Sequence, residues 1–396
     1  MNPMIRKSYN TTLFNLVCFV VCAFICIASH ASTQGSASSY RPNVFYSGIV
    51  YLGNFDQIKT NYPYALSINQ AINAVGLLDQ RFNQLIQQSS PQHFNLHFGL
   101  ADLKKGQSIA MALAFESENV STEVIGNNRK IIVEAGAQLF FFDFASMTLI
   151  ANIPLSMAKN HVVAKELNYQ EQLPRLFSEL YLGLDGGDSL LTMAFNLLGS
   201  AKINLSKPLR FQLEQVSSSE NVQVFMPQNI TAVRFNQFIG QYFSARLAHQ
   251  YNISVLPFTK GYAIGNQMAG RFSNGSVFNL NLPTPDYVFS LELLDLKKAP
   301  YKDDLMYASR LALSMSQQHS GKVFINEVFQ YAVPKLVSAN MTQIDDWSAF
   351  HDVIEVLIDE LVEQLGSPNK KWFKSHAKDN QAYGKFTVKQ ELFSAK

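Results

Sequence analysis

Two pairs of side chains in this chain have the spacing of metal ligands. His351 and Glu355 lie one helical turn apart, and His93 and His97 lie four residues apart. Imidazole and carboxylate groups can bind zinc, but the motif H-E-x-x-H needs a second histidine that the first pair lacks. We therefore interpret His351 and Glu355 as a pair on the surface of a helix. His93, Asn95 and His97 alternate with apolar residues, and no carboxylate lies near them in the sequence. This pattern predicts the solvated polar face of a strand.

A glycine-rich turn brings two further carboxylates close together in Asp185-Gly186-Gly187-Asp188. A calcium loop needs more oxygen ligands in a regular order than this segment offers. The segment is therefore predicted to be a turn that separates two helices, with Asp188 capping the second helix.

Other acidic residues lie on or beside apolar strands, namely Asp143, Asp286, Glu292 and Asp295. Two of them would serve a glycosidase only at a separation of roughly 5–10 Å. Neither the serine-hydrolase pattern G-x-S-x-G nor the zinc motif H-E-x-x-H occurs in the chain. The sequence therefore predicts a protein that is not an enzyme, with no catalytic residue, no cofactor and no metal. A hydrolase of an unfamiliar type, with acids clustered in a pocket, is the rival interpretation.

An apolar stretch over residues 13–28 follows Arg6 and Lys7 and ends on small residues at Ala31. This arrangement predicts a secretory signal peptide over residues 1–31. The stretch has about sixteen apolar residues, fewer than the roughly 20 that a spanning helix needs. Cleavage is therefore favoured over a retained anchor in the inner membrane.

All three cysteines, Cys18, Cys22 and Cys26, lie inside this stretch. The mature protein is predicted to have neither a disulfide nor a thiol ligand, which suits the bacterial periplasm. Loss of the signal peptide also removes two basic residues and no acid, so the 32 basic and 30 acidic residues of the whole chain become balanced. A neutral balance argues against a nucleic-acid partner, because such a partner needs a basic footprint.

Hydrophobic periodicity divides the remaining chain into two predicted α/β domains. A flexible leader over residues 32–43 precedes the first domain, which spans residues 44–165. A long amphipathic helix is expected at Ile68–Ile86. A meander of antiparallel strands follows, and the alanines around Ala112 are expected to leave room for a helix to lie close.

A helical connector over residues 166–203 leads to the second domain, residues 204–366. A long helix, a short helix at Tyr262–Phe272, a strand and a hairpin are expected there. The closing helix at Trp347–Leu365 has the clearest apolar periodicity in the chain. Each domain thus has a long helix before an antiparallel meander, which predicts an α+β or α/β fold with two mixed sheets.

The chain ends in a basic tail over residues 367–396, with seven lysines and two acids. Trp372 and Phe373 lie among the first of these lysines, Lys370, Lys371 and Lys374. Such a segment can dock on a membrane surface, an anionic polymer or an acidic partner, with the aromatic rings as apolar anchors. The alternative is a solvated, disordered C-terminus.

The second domain resembles a periplasmic α/β domain of bacterial envelope proteins, that of the amino terminus of TolB and of CsgG. The order of helix, strand at residues 253–258, helix, strand, hairpin and helix is similar. Pro285–Ser290 resembles the turn into the central strand of those domains, and Ser320-Gly321-Lys322 lies at the tip of a similar hairpin. The resemblance covers about residues 229–365. It implies a fold and a setting in periplasmic assembly, and it transfers no functional residue.

These observations predict an exported, periplasmic, non-enzymatic protein that acts as an assembly or interaction partner of other envelope proteins. The alternative is a two-lobed protein that binds a small ligand between its domains. That alternative requires a deep cleft lined by aromatic residues, which 30 phenylalanines and 16 tyrosines can supply.

Overall fold

Two mixed β-sheets and the helices packed on them make up the fold, which confirms the predicted α+β class. The structure is a computed structural model that describes residues 41–53, 55–69, 77–98, 109–183, 186–203, 209–227, 230–258, 263–264, 267–272, 276–302, 304–335, 346–379 and 381–393. The predicted signal peptide and most of the predicted leader lie outside the described residues. From Pro42 onward the chain forms one compact unit.

The first sheet has eight strands, most of them from the first half of the chain. They are β1 Asn43–Leu52, β2 Asn95–Phe98, β3 Ile109–Ile125, β4 Asn128–Asp143, β5 Thr148–Ala164, β8 Ala263–Ile264, β9 Gln267–Phe272 and β10 Val277–Asn281. Their order is β2-β1-β3-β4-β5-β10-β9-β8. β1 also pairs with β9, so the strands β1, β3, β4, β5, β10 and β9 close into a ring.

The inner side of this ring places small residues opposite large ones. Ala112 on β3 is buried there with Phe140 on β4 and Phe278 on β10. Gly270 on β9 lies so close to the ring of Phe278 that an added Cβ would come within 2.5 Å of it. The alanines thus make room for aromatic rings of neighbouring strands, and the expectation of a helix beside them is wrong.

The helix predicted at Tyr262–Phe272 is also wrong, because the described residues of this segment form β8 and β9. Met268 on β9 is buried in the ring. Periodicity alone cannot separate a short apolar strand from a short helix. Pairing of β9 with β1 on one side and β10 on the other decides the outcome.

Helices cover the outer side of the first sheet. They are α1 Phe55–Asn61, α2 Pro63–Asn69, α3 Leu77–Gln87, α4 Leu173–Leu182 and α5 Leu190–Ser200. Their apolar faces, represented by Phe82, Phe177 and Leu191, are buried against the strands. The segment predicted as a helical connector supplies α4 and α5, and these two helices pack on this sheet.

The single helix predicted at Ile68–Ile86 is wrong, because Asn69 at the end of α2 contacts the first turn of α3. Asn69 Oδ1 accepts a hydrogen bond from the backbone N–H of Leu78 at 3.0 Å, and Asn69 Nδ2 donates to Asp79 at 3.2 Å. A continuous helix would separate residues nine apart by about 13 Å. The side chain of Asn69 therefore satisfies an orphan N–H at the start of α3.

The second sheet has five strands in the order β13-β12-β11-β6-β7. Their bounds are β6 Arg210–Ser218, β7 Ser254–Leu256, β11 Tyr287–Tyr301, β12 Asp304–Gln317 and β13 Val323–Lys335. Three helices accompany them, α6 Glu220–Gln223, α7 Ala232–Tyr251 and α8 Asp346–Gly366. The predicted hairpin is confirmed as β12 and β13, and the predicted closing helix is confirmed as α8.

Helices α7 and α8 lie between the two sheets. Their apolar residues enter the core of the second sheet, as Phe243 and Leu357 do. On their other side, α7 contacts β5 and α8 contacts β3 of the first sheet. The two halves of the fold therefore meet along these helices. Within the described ranges, no helix is both long enough and apolar enough to cross a membrane.

The basic tail is helical and packed, so its interpretation as a disordered C-terminus is wrong. It forms α9 Lys370–His376, α10 Ala382–Thr387 and a 3-10 turn at Gln390–Phe393. Phe373, Phe386 and Phe393 are buried in the core of the second sheet. Burial of these rings offsets the entropy lost when the tail becomes ordered.

Candidate functional site

A cavity of about 380 Å³ lies where α7 and α8 meet the first sheet. Its walls come from both halves of the fold, and its aromatic lining consists of Tyr64, Tyr169, Phe235, Phe238 and Trp347. Its ionisable lining consists of Glu118, Glu134, Arg234 and His351. Ligand pockets have volumes of roughly 300–1,000 Å³ and combine apolar walls with a few polar groups. The cavity therefore has the size and the lining of a small-molecule site.

Glu134 lies in the middle of β4 with its side chain facing this cavity. The residue is 8% exposed. Burial, followed by the nearby charge of Glu355, raises the pKa of its carboxyl group to about 8. Within the described part of the chain, this carboxyl group has neither a hydrogen bond nor an ion pair. A buried carboxylate without a partner is unfavourable, so the group is neutral at pH 7 unless a ligand compensates it.

His351 and Glu355 face Glu134 from α8. His351 is 6% exposed, and burial together with the charge of Lys130 lowers its pKa to about 4. Its Nδ1 lies 3.9 Å from Oε1 of Glu355. Burial, then the charges of Asp352 and Asp359, raises the pKa of Glu355 to about 7. The imidazole is therefore neutral at pH 7, which leaves it able to act as a ligand.

Glu134, His351 and Glu355 form one group, which we call the acid–histidine cluster. Their ligand atoms all lie within 4.8 Å of one another. The prediction of a surface pair is wrong for His351, because α8 turns this side chain towards β4. No sequence motif marks Glu134. Its signal was a lone acid within the apolar run Ile131–Ala137, where a charged residue is rarely buried without a partner.

The other end of the cavity is held by Glu118 on β3. Its carboxylate accepts hydrogen bonds from the backbone N–H groups of Tyr64 and Ala65 at 2.9 and 2.6 Å, and from the hydroxyl of Tyr181 at 2.9 Å. Burial raises its pKa to about 7 despite these bonds. Arg234 Nη2 donates to the backbone oxygen of Glu118 at 2.8 Å. Glu118 therefore caps α2, while Arg234 ties α7 to β3.

A second cavity of about 200 Å³ adjoins the first and shares Glu134 and Phe238 with it. Ser117 on β3 donates to Oε1 of Gln241 on α7 over 2.5 Å. Nε2 of Gln241 is buried and has no hydrogen-bond partner among the described atoms. The Glu134 side chain thus stands at the junction of two cavities that both run between the halves of the fold.

The remaining sequence-predicted histidines and turn acids lie away from the cavity. His97 and Asn95 both contact the Asn43 side-chain oxygen on the exposed face of β2, at 3.2 and 3.3 Å, which agrees with a polar strand face. Asp185 lies outside the described residues. Asp188 is exposed, and Ser189 caps α5 by accepting a hydrogen bond from Thr192 N. The N-cap of α5 is therefore Ser189, and the prediction that Asp188 caps this helix is wrong.

The strand acids that were considered as a glycosidase pair also serve structural roles. Asp143 accepts hydrogen bonds from the backbone and side chain of Ser146, which lower its pKa. Asp286 accepts from the backbone N–H of Arg210 at 2.8 Å. Neither acid lines either of the two cavities.

The predicted docking residues divide into an exposed basic set and a packed aromatic pair. Lys370, Lys371 and Lys374 are exposed on α9. Phe373 is 2% exposed, and the half-buried Trp372 lies 5.7 Å from the ring of Phe329. The Phe373 ring therefore faces the core, and only the lysines offer an open surface.

Comparisons with known proteins identify no family for this chain. No family model matches it, and no curated protein matches it significantly in sequence. The solved structures similar to parts of it include a protein of family DUF330 from Xanthomonas campestris, at 11% identity and TM-score 0.25, covering 41% of this chain and 87% of that protein.

Two further solved structures are similar to a comparable share of the chain. A hypothetical protein from Chlamydia trachomatis is 12% identical with TM-score 0.26, covering 40% of this chain and 97% of that protein. A minor lipoprotein from Acinetobacter baumannii is 8% identical with TM-score 0.22, covering 40% and 92%. At these scores the likenesses carry no argument about function, and the resemblance to TolB and CsgG stays a prediction.

Proposed function

We propose that this protein is an exported, non-enzymatic protein of the bacterial cell envelope that binds a small ligand in the cavity between its two halves. The observation that carries the proposal is the cavity of about 380 Å³ with five aromatic side chains in its lining. This is the cleft that the two-lobed alternative required, so we prefer ligand binding to the role of an assembly partner. The periplasmic setting rests on the sequence pattern of residues 1–31.

The lining favours a ligand with a flat apolar part and a basic or hydrogen-bond-donating group. Phe235, Phe238 and Trp347 offer ring faces and edges on the side of α7 and α8. Glu134 offers an acceptor that no described protein group uses. Aromatic faces beside a carboxyl group attract amines and other cations, because ring quadrupole and charge act together.

A thermal-shift screen of a fragment library rich in aromatic amines tests this proposal. A ligand present at about 100 times its Kd stabilises the folded state by about 2.7 kcal/mol. Hits should be lost in the variant Asn119→Trp, because Asn119 lines both cavities and the indole would fill them. Val162→Trp is the matched control, since Val162 on β5 is exposed and away from both cavities. Hits that persist in Asn119→Trp would contradict binding in the cavity.

Docking through α9 is a second candidate, and the exposed Lys370, Lys371 and Lys374 favour it. A helix fixed to the core by Phe373 can present these charges to an anionic membrane surface or an acidic envelope partner. Sedimentation with anionic vesicles tests this candidate. Binding should fall in the triple alanine variant and should weaken with salt, since exposed charges are screened.

A hydrolase of unfamiliar type is a third candidate, because the acid–histidine cluster is the group of perturbed acids that it requires. Carboxyl groups with raised pKa values can act as general acids near neutral pH. Assays with chromogenic esters, phosphates and glycosides test this candidate, with Glu134→Gln as the control. Turnover that is equal in the two proteins would assign the activity to a contaminant.

A further inference from the structure

We propose that the acid–histidine cluster binds one divalent transition-metal ion of the zinc class, held by Glu134 from β4 and by His351 and Glu355 from α8. The site would join a strand of the first sheet to the helix that closes the second. The site shares Glu134 with the proposed ligand cavity, so a bound ion and a cationic ligand would compete for this carboxylate.

The donor set and its compactness support a metal. One imidazole nitrogen and two carboxylate oxygens lie within 4.8 Å of one another. Zinc binds such donors at about 2.0–2.2 Å, so in a tetrahedral site the donors lie roughly 3.4 Å from each other. His351 Nδ1 and Glu355 Oε1 already lie 3.9 Å apart. Movements of about 1–1.5 Å in these side chains would bring the three donors to the spacing of a zinc site.

Glu134 gives an independent reason to expect a cation. The residue is more than nine-tenths buried, and its carboxyl group faces the cluster with no hydrogen bond or ion pair among the described groups. Buried polar groups in proteins almost always have partners, and an exception indicates a missing ligand or a functional role. A metal ion would supply the missing partner and would favour the charged form of both carboxylates.

The surroundings agree with a neutral histidine ligand inside an apolar wall. The ring of Phe238 lies 4.9 Å from the imidazole, and that of Trp347 lies 6.4 Å from it. The charges near the cluster are Lys130 on β4, Arg246 on α7, and Asp352 and Asp359 on α8.

The ligand types select the class of metal. An imidazole with two carboxylates suits zinc, manganese, iron, cobalt or nickel, whereas magnesium and calcium prefer oxygen ligands alone. Three protein ligands leave at least one coordination position free, as in catalytic zinc sites. The cavity of about 380 Å³ adjoins this position, because Glu134 and His351 line it.

Calorimetric titration of the untagged, chelator-stripped mature protein with Zn²⁺ tests the proposal. We expect one ion per chain, a Kd at least about 100-fold weaker in Glu134→Gln and in Glu355→Gln, and no comparable binding of Mg²⁺ or Ca²⁺. Glu116→Gln is the matched control for the first variant, because Glu116 is a buried acid on β3 that pairs with Gln138. Glu363→Gln, on the exposed face of α8, is the control for the second.

Titration with Co²⁺ gives a second measurement that does not depend on how each variant folds. The wild-type protein should give the visible absorption bands of Co²⁺ in a site of low coordination number, and Zn²⁺ should remove them. Absence of stoichiometric binding, or equal binding by Glu134→Gln, would overturn the metal site. Such a result would leave the fragment screen of the stripped protein unaffected, so the two proposals fail separately.

Discussion

The carboxyl group of Glu134 and the imidazole of His351 lie within 4.8 Å of each other, although one belongs to a strand of the first sheet and the other to the closing helix. Neither residue has a motif around it that identifies the other. The two residues lie where the two halves of the fold pack together. Glu134 lines both cavities, so the acid–histidine cluster stands between them.

The raised pKa of Glu134 predicts that the carboxyl group destabilises the metal-free protein as the pH rises. The pKa is about 8 in the folded state against 4.5 for the free group. The folded state therefore binds more protons between these values, and stability falls as the pH rises from about 4.5 to 8. Glu134→Gln should remove this loss and be more stable than wild type by on the order of 3 kcal/mol at pH 8.

Denaturant unfolding of both proteins from pH 5 to pH 8, with a chelator present, measures that difference. His351 acts in the opposite sense, since its lowered pKa makes stability rise with pH between about 4 and 6.5. His351 is present in both proteins, so the difference between the variant and wild type at each pH removes its contribution to stability. A difference that does not change with pH would contradict the buried, unpaired state of Glu134.

Gly136→Ala should destabilise the packing of β4 against α7. An added Cβ would lie 2.9 Å from Oγ of Ser117 and 3.0 Å from Oε1 of Gln241, so it would disturb the hydrogen bond between these two side chains. We expect a loss of about 1–3 kcal/mol in the free energy of unfolding, as for other overpacked sites. Gly199→Ala, where nothing lies within 4 Å, should instead stabilise α5 by roughly 0.5–1 kcal/mol. A loss at both positions would contradict the specific contact.

Lys335→Met should destabilise the contact between β13 and β3. Lys335 Nζ lies 2.5 Å from Oε1 of Glu123, and Glu123 is buried. Removal of the lysine leaves a buried charge, which typically costs about 3–5 kcal/mol, whereas the double variant with Glu123→Gln should recover most of this loss. A double-mutant cycle by thermal unfolding measures the coupling, and additive effects would show that the two residues act independently.

Phe373→Ala tests the packing of the tail. Phe373 is buried against Phe329 and Phe386 in the core of the second sheet. Loss of its ring should cost about 3–5 kcal/mol. Lys371→Ala, at an exposed position of the same helix, should change stability by less than about 0.5 kcal/mol. Equal effects in chemical unfolding would argue that the tail is detached in solution.

The sequence by itself determined the elements whose signal is local. The presence of an antiparallel meander, the hairpin of β12 and β13, and the apolar face of α8 all follow from alternation or helical periodicity within each segment, although β4 is one long strand where two short ones were expected. Such patterns are reliable because a wrong register or face would expose the whole apolar set. The α+β class follows from the order of these elements.

Only the tertiary structure decided what depends on residues distant in the chain. Met268 and Gly270 belong to a strand because β1 and β10 flank them, and Phe373 is apolar core because the second sheet leaves a surface for it. The partner of His351 is a lone acid on β4, and no spacing connects the two. Burial and pKa depend on what packs against a group in space, so the acid–histidine cluster could emerge only from the packed fold.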